Sequence, residues 1–458
     1  MKIIMSIEIT APCSYSRQDK AGQELVNGDA QANLNSEHLS ILPKSGEPLY
    51  LSLVDIIEIL PRDYRIEMTL SSNEKIALFN LGYKFDDLVS NLYQYRNEII
   101  LKYLLMNESI KRSKVFGELA ARNASGAGEQ FEKCELRLYE TSIVLLPTTG
   151  DPYWIHFSNI SKMEVKDYSI LIIKETGEQF VVSKLGRDFE GISRDLSDAI
   201  NQLNVKTQSL LKELLPSADP SVIFALSRLM KDGKVAKSVD IKSISPMVWT
   251  QFENRLEQTP IWAQYQYLKS ISIQEKIGIG IKRGLMGDIT GNYLFLLIPI
   301  DNKESQYGNA VALEAVKLQS GNTTESEGTG DATESDFGAT GGNATYFFRI
   351  TRRNEYPEVA KNRENLDKKI DSALQMISQA MLDINFRREP IFLTDEKLES
   401  EPKYAKYRYA ARRIPSFTEL RNIFVGRIIH SSLDQWKSDV QALLNFNMTA
   451  KDDSRWQK

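Results

Sequence analysis

The stretch Leu42-Pro43-Lys44-Ser45-Gly46-Glu47-Pro48 returns 104 residues later as Leu146-Pro147-Thr148-Thr149-Gly150-Asp151-Pro152. Asp63-Tyr64-x-Ile66 returns as Asp167-Tyr168-x-Ile170, and Leu81-Gly82-x-x-Phe85 as Leu185-Gly186-x-x-Phe189. Residues 42–97 align with 146–201 without a gap, and 14 of the 56 pairs are identical. Average usage would give roughly three or four. An internal duplication constrains the architecture before any other feature is read.

Within the second copy, Glu135-Leu136-Arg137-Leu138-Tyr139 alternates polar and apolar residues, the period of a half-buried strand. Ile143–Leu146, Tyr153–Phe157, Tyr168–Ile173 and Gln179–Val182 follow, separated by turn residues at close spacing. Short strands with no helices between them predict an antiparallel meander. The period then changes. Phe85, Leu88, Val89 and Leu92 lie at i, i+3, i+4 and i+7, and Phe189, Ile192, Leu196 and Ile200 nearly repeat them, so each copy is expected to end in an amphipathic helix. Gly82 and Gly186 stand where strand gives way to helix, a place for backbone angles open to glycine.

A curved antiparallel sheet closed by a C-terminal helix resembles the pleckstrin-homology-like superfold, in its bacterial PH-like and GRAM-type branch. The Leu-Pro-x-x-Gly-[Glu/Asp]-Pro hairpin, the apolar strand around Ile56 or Ile160, and the Leu-Gly-x-x-Phe approach to the helix carry the likeness. It covers about 150 residues in two copies. The resemblance implies a binding module rather than an enzyme. Members that bind phosphoinositides place clustered cations along the first hairpin. The corresponding turns, Asn35-Ser36-Glu37-His38 and Tyr139-Glu140-Thr141-Ser142, hold no basic pair, which weighs against lipid and toward protein or peptide docking.

The rest of the chain divides by composition. Residues 1–30 read as an N-terminal strand or flexible arm, with Pro12–Ala32 polar and poor in apolar side chains. The first copy is placed at 31–106, a small-residue linker at 120–130, and the second copy at 131–205. Asp219-Pro220 and Ser245-Pro246 open helices in a spacer over 206–270. A helix-turn-helix is the sharper reading of that pair and a packing spacer the plainer one. An α+β C-terminal domain is expected over 271–446, with strands at 276–282, 292–300, 310–317 and 345–351, a disordered loop over 320–342, and a long helix through Leu366, Ile370, Leu374 and Ile377. Four strands and a helix could make a third, divergent unit of the same kind. Its end reads as helical, with capping boxes at Ser416-x-x-Glu419 and Ser432-x-x-Gln435. Residues 447–458 form a tail.

With 42 % hydrophobic and 26 % charged residues and a net charge of -4, the chain has no global pull toward nucleic acid or anionic lipid. Two distant cysteines and no apolar run of export or membrane-span length point to a reducing cytoplasm. His38, His156 and His430 make no zinc-like spacing, and neither a metal nor a cofactor is expected. The glycines at 278, 280, 284, 287 and 291 fit bulged strands better than any phosphate-loop spacing.

Two groups are candidates for binding. Lys403, Lys406, Arg408, Arg412 and Arg413 interleave with Tyr404, Tyr407 and Tyr409, the chemistry that a phosphate backbone with stacked bases requires. A helix with packed tyrosines and cations paired to Asp395, Glu396, Glu399 and Glu401 explains the same residues. Tyr50 and Trp154 occupy matching positions and are candidate anchors. No catalytic constellation assembles; a Cys134–His156 dyad has no support in spacing. The expectation is therefore a non-enzymatic scaffold docking a protein or peptide. Peripheral membrane binding is the first alternative, and nucleic-acid binding through 403–413 the second.

Overall fold

The computed structural model describes residues 9–104, 108–128, 131–285, 288–302, 307–318 and 344–456. Among them the protein is mixed α and β and divides into two compact units. The first runs to Ala199 and takes in Leu393–Pro415; the second comprises Ile200–Phe392 and the chain from Ser416 onward.

The first unit holds both copies, except that the last helix of copy 2 runs on from Ile200 into the second unit. One is built from β1 (Ile9–Gln18), β2 (Glu24–Leu34), β3 (His38–Pro43), β4 (Leu49–Ser52), β5 (Ile56–Arg62), β6 (Arg65–Leu70), β7 (Lys75–Phe79) and α1 (Phe85–Leu104). The other is built from β8 (Ile110–Arg122), β9 (Glu132–Tyr139), β10 (Ser142–Pro147), β11 (Tyr153–His156), β12 (Ile160–Lys166), β13 (Ser169–Lys174), β14 (Gln179–Ser183) and α2 (Phe189–Leu214). Each is a seven-stranded antiparallel sheet, in orders β4-β3-β2-β1-β7-β6-β5 and β11-β10-β9-β8-β14-β13-β12. The first strand of each copy thus lies in mid-sheet and joins the last. In copy 1, Leu34, Leu39, Ile66, Leu78, Leu88 and Leu92 meet in one core that α1 closes.

Local geometry explains which residues the duplication retains. Asp63-Tyr64 and Asp167-Tyr168 are two-residue hairpin loops with φ of 50° and 56°, and 50° and 55°. Positive φ at both central residues matches the right-handed twist of the flanking strands. Each tyrosine ring lies 5.4 Å from the ring of the first helical phenylalanine, Phe85 or Phe189. Gly82 and Gly186, at φ of 54° and 55°, turn the chain from strand toward helix, as expected of them.

Three boundaries differ from the expectation. The polar stretch Pro12–Ala32 is not an arm but β1 and β2. In mid-sheet, paired with β2 along its length and with β7 over Ser14–Gln18, β1 buries only Ala11, Cys13, Tyr15 and Ser16. Residues 120–128 finish β8 and turn toward β9, so they belong to copy 2 instead of linking the copies. The turns at Asn35–His38 and Tyr139–Ser142 are consequently the second hairpin of each copy. The first hairpin of copy 1 turns at Asp19–Gln23, where Arg17 is paired to Glu74 at 3.0 Å.

The second unit comprises α3 (Pro220–Leu229), β15 (Val235–Lys237), α4 (Ser238–Ile244), α5 (Pro246–Glu257), α6 (Trp262–Ser270), β16 (Gly278–Leu285), β17 (Asp288–Asn302), β18 (Tyr307–Leu318), β19 (Ala344–Arg349), α7 (Tyr356–Lys361), α8 (Arg363–Asp383) and α9 (Glu389–Phe392). After α10 (Asp395–Ser400) and α11 (Ala405–Arg413), which lie in the first unit, come α12 (Pro415–Ile423), β20 (Phe424–Ile429) and α13 (Leu433–Thr449). Asp219 caps α3 by accepting from the Ser221 amide at 2.8 Å, with Pro220 in the first turn. The expected spacer helices share one core with the sheet: Leu226, Trp249, Phe252 and Tyr265 pack with Leu294, Leu296 and Trp436.

The sheet order β15-β16-β17-β18-β19-β20 is a ladder whose first and last strands lie at opposite edges. A third copy would join them, so this domain does not repeat the fold of the first two. Its last strand, Phe424–Ile429, falls in a region expected to be helical, and Ser432 makes no side-chain cap. The loop expected over 320–342 lies outside the described residues.

Candidate functional site

The two copies meet through α1. Leu101 on that helix packs with Tyr139, Val144, Leu146 and Trp154 of copy 2. Every residue of β10 is therefore buried, whereas the matching β3 keeps alternating exposure. Asn97 donates to the Gly150 carbonyl at 2.8 Å, and the fully buried Arg96 pairs with Asp151. The second appearance of the Gly-[Glu/Asp]-Pro turn thus receives the helix of the first copy.

Beside this contact lies a cleft of about 580 Å³. One wall is α1 at Ser90, Gln94 and Glu98; the other comes from β8, β9 and β10, including Phe116, Glu135 and Leu146. Phe116 is 64 % exposed, an aromatic side chain left open at the mouth. Arg137 spans the cleft. It donates to both oxygens of Glu98 at 2.9 and 2.5 Å and to both of Glu135 at 2.9 and 2.7 Å. Burial opposes the charge on Arg137, but these carboxylates more than reverse it and raise its pKa. Burial likewise pushes Glu135 up, and hydrogen bonds from Arg137 and the Lys114 amide bring it below the usual carboxylate value.

Cys134 lines the cleft too, and burial pushes its thiol up to about 12, with Glu132 and Glu135 adding to the effect. A thiol so protonated is no nucleophile at neutral pH. Among the described residues, no group of three or more His, Cys, Asp or Glu side chains is placed to hold a metal ion, and no helix is long and apolar enough to cross a membrane.

The candidate anchors separate. Tyr50 is 68 % exposed on the edge strand β4. Its counterpart Trp154 is half-buried against the α1 contact, its ring 4.4 Å from that of His156.

The basic–aromatic segment is folded into the first unit, where α11 packs on α1, β5 and the turn Leu53–Asp55. Arg408 pairs with Asp55 and donates to the Leu398 and Glu399 carbonyls at 2.6 and 2.8 Å. Arg413 reaches Glu58 at 3.2 Å and Asp151 at 3.0 Å. Arg412 lies 3.3 Å from Glu399. Lys403 pairs with Glu401 at 3.1 Å, and Lys406 lies over the Tyr407 ring at 4.9 Å. The acidic partners Asp55, Glu58 and Asp151 escaped sequence reasoning because nothing in their local spacing points to a segment 353, 355 and 262 residues distant.

A further unread cluster lies in the second unit. There Glu314, which is fully buried, accepts from Thr345, His430 Nε2 stands 3.2 Å from both, and Trp436 Nε1 donates to Thr345 at 3.2 Å. It ties β18, β19 and α13 together.

No family model and no curated protein matches this chain.

Proposed function

We propose that the protein is a scaffold of tandem PH-like domains that docks a protein or peptide partner in the cleft between α1 and β8–β10. The observation that carries this reading is the cleft itself. It is walled by both copies, sets Leu146 and Pro147 among polar and charged side chains, and includes the exposed Phe116, an aromatic of the kind that anchors interfaces. The PH-like assignment is supported by the order of the strands, with the first in mid-sheet joined to the last and a helix closing the core. The nucleic-acid reading loses support because Arg408, Arg412 and Arg413 are engaged by carboxylates of the same unit.

Affinity capture from the native cell extract, with the intact protein and a Phe116→Glu variant side by side, tests the proposal. A partner retained by the parent and weakened at least tenfold by the variant is the expected outcome. Loss at Tyr50→Ala with Phe116→Glu unaffected would move the site to the β4 edge. Anionic vesicles or nucleic acid retained equally by all three proteins would overturn it, as would turnover of a small substrate that a cleft mutation abolishes.

A further inference from the structure

The duplication supplies an internal control for the surface that receives α11. The residues 104 positions after Asp55 and Glu58 are Asn159 and Lys162. The acid pair that holds the arginines of α11 is thus no requirement of the fold, since the other copy builds the same turn and strand without it. The third acid, Asp151, lies between Arg96 and Arg413. Three carboxylates of different elements converge on two arginines of one short helix.

The helix fits them closely. Arg408 has 9 % of its side chain exposed, and Tyr407, Tyr409, Ala410 and Ala411 are buried. Glu399 accepts from Arg408 through its backbone carbonyl at 2.8 Å and holds its carboxylate 4.0 Å from Nε, while Nη1 of the guanidinium goes to Asp55. Leu393–Pro415, which brings this helix, is flanked on both sides by residues of the other unit. A segment inserted in this way is covalently required by neither copy.

We infer that Asp55 and Glu58 of copy 1, with Asp151 of copy 2 beside them, form a recognition surface for an arginine- and tyrosine-bearing helix, and that Leu393–Pro415 is its ligand in cis. The inference rests on the docking reading and names what a second surface of that scaffold takes. Copy 2, with Asn159 and Lys162, does not share the specificity. The basic–aromatic composition that resembles a nucleic-acid signal is, on this account, the signature of a ligand for an acidic surface.

The test uses the full chain and a fluorescent peptide of residues 393–415, read by anisotropy. The parent protein, its surface filled, binds the peptide weakly. Arg413→Glu loosens the cis segment at a half-exposed residue, and the peptide then binds at least tenfold more tightly. Adding Asp55→Asn and Glu58→Lys, the residues of copy 2, abolishes that gain. A folded Arg413→Glu chain with no gain overturns the inference, as does equal binding by the triple variant. Hydrogen exchange provides a measurement that needs no peptide. Asp55→Asn/Glu58→Lys lowers protection of the 405–413 amides at least tenfold and leaves β10 unchanged; unaltered protection at 405–413 overturns the inference. Phe116→Glu leaves the peptide result intact, so failure of the cleft and failure of this surface read out separately.

Discussion

Asp151 illustrates how a single carboxylate can hold two kinds of structure. It neutralises Arg96, which has no exposed surface, and it also receives Arg413 from α11. Removing it leaves a guanidinium buried without its counter-charge, and breaking such a pair costs about 3 kcal/mol or more. Asp151→Ala is therefore expected to lower stability in urea denaturation by roughly that amount, whereas the exposed counterpart Glu47→Ala changes it by less than about 0.5 kcal/mol. Glu135 gives a pH signature. Its pKa in the folded state lies below the ordinary 4.5, so its contribution is complete above that value and fades as pH falls through it toward the folded-state value. The stability difference between the parent and Glu135→Gln should be largest at neutral pH and shrink below pH 4.5. A difference that grows on acidification would contradict the Arg137 pairing. At this scale little was legible. The basic side chains of 403–413 stood out, and so did their nearby partners Asp395, Glu399 and Glu401, but Asp55, Glu58 and Asp151 did not, because ion pairs across the fold leave no periodicity in either strand or helix.

At the scale of elements, the two Asp-Tyr hairpins set a backbone cost against a ring contact. A non-glycine residue in the left-handed region costs roughly 1–2 kcal/mol, and an aromatic pair returns about 0.5–1.5 kcal/mol. The two nearly cancel. Asp63→Asn/Tyr64→Gly is thus expected to shift stability by less than about 1 kcal/mol, while Tyr64→Val, which keeps the backbone strain and loses the ring, costs roughly 2 kcal/mol. Thermal denaturation of the two variants distinguishes them. The elements with strong periodicity or turn chemistry were readable: strands β9 to β14, the glycine turns and both helices. For β1 a strand was one of two open readings, and with β2 it was not decided, because strands in mid-sheet can be built from Ala, Cys and Ser with little apolar signal. β20 was missed for another reason: a six-residue strand set between helices offers too few residues for a period to emerge.

At the scale of the molecule, the copies share a fold and differ in use. Helix α1 covers the outer face of copy 2, so that β10 reads Ile143-Val144-Leu145-Leu146 where β3 reads Leu39-Ser40-Ile41-Leu42. Val144 meets Leu101 from the other copy, while Ser40 at the same place remains partly exposed. Giving copy 2 the residue of copy 1, Val144→Ser, removes a buried side chain and leaves a hydroxyl in its place, a loss of about 2–4 kcal/mol in chemical denaturation. The reciprocal Ser40→Val is expected to be neutral within about 0.5 kcal/mol. Equal effects in the two copies would contradict the asymmetric packing. The duplication was plain in the sequence; which copy covers the other was not, since the apolar run of β10 is consistent with any second layer.

The placement of α11 sets an order of events during synthesis. Copy 1 is finished at Leu104, and Asp55 and Glu58 are in position once it folds. The helix that meets them, starting at Ala405, is translated about 300 residues after Leu104, which at ~5–20 residues per second is some 15–60 s. For that interval the nascent chain presents an acidic surface whose own ligand has not yet been made.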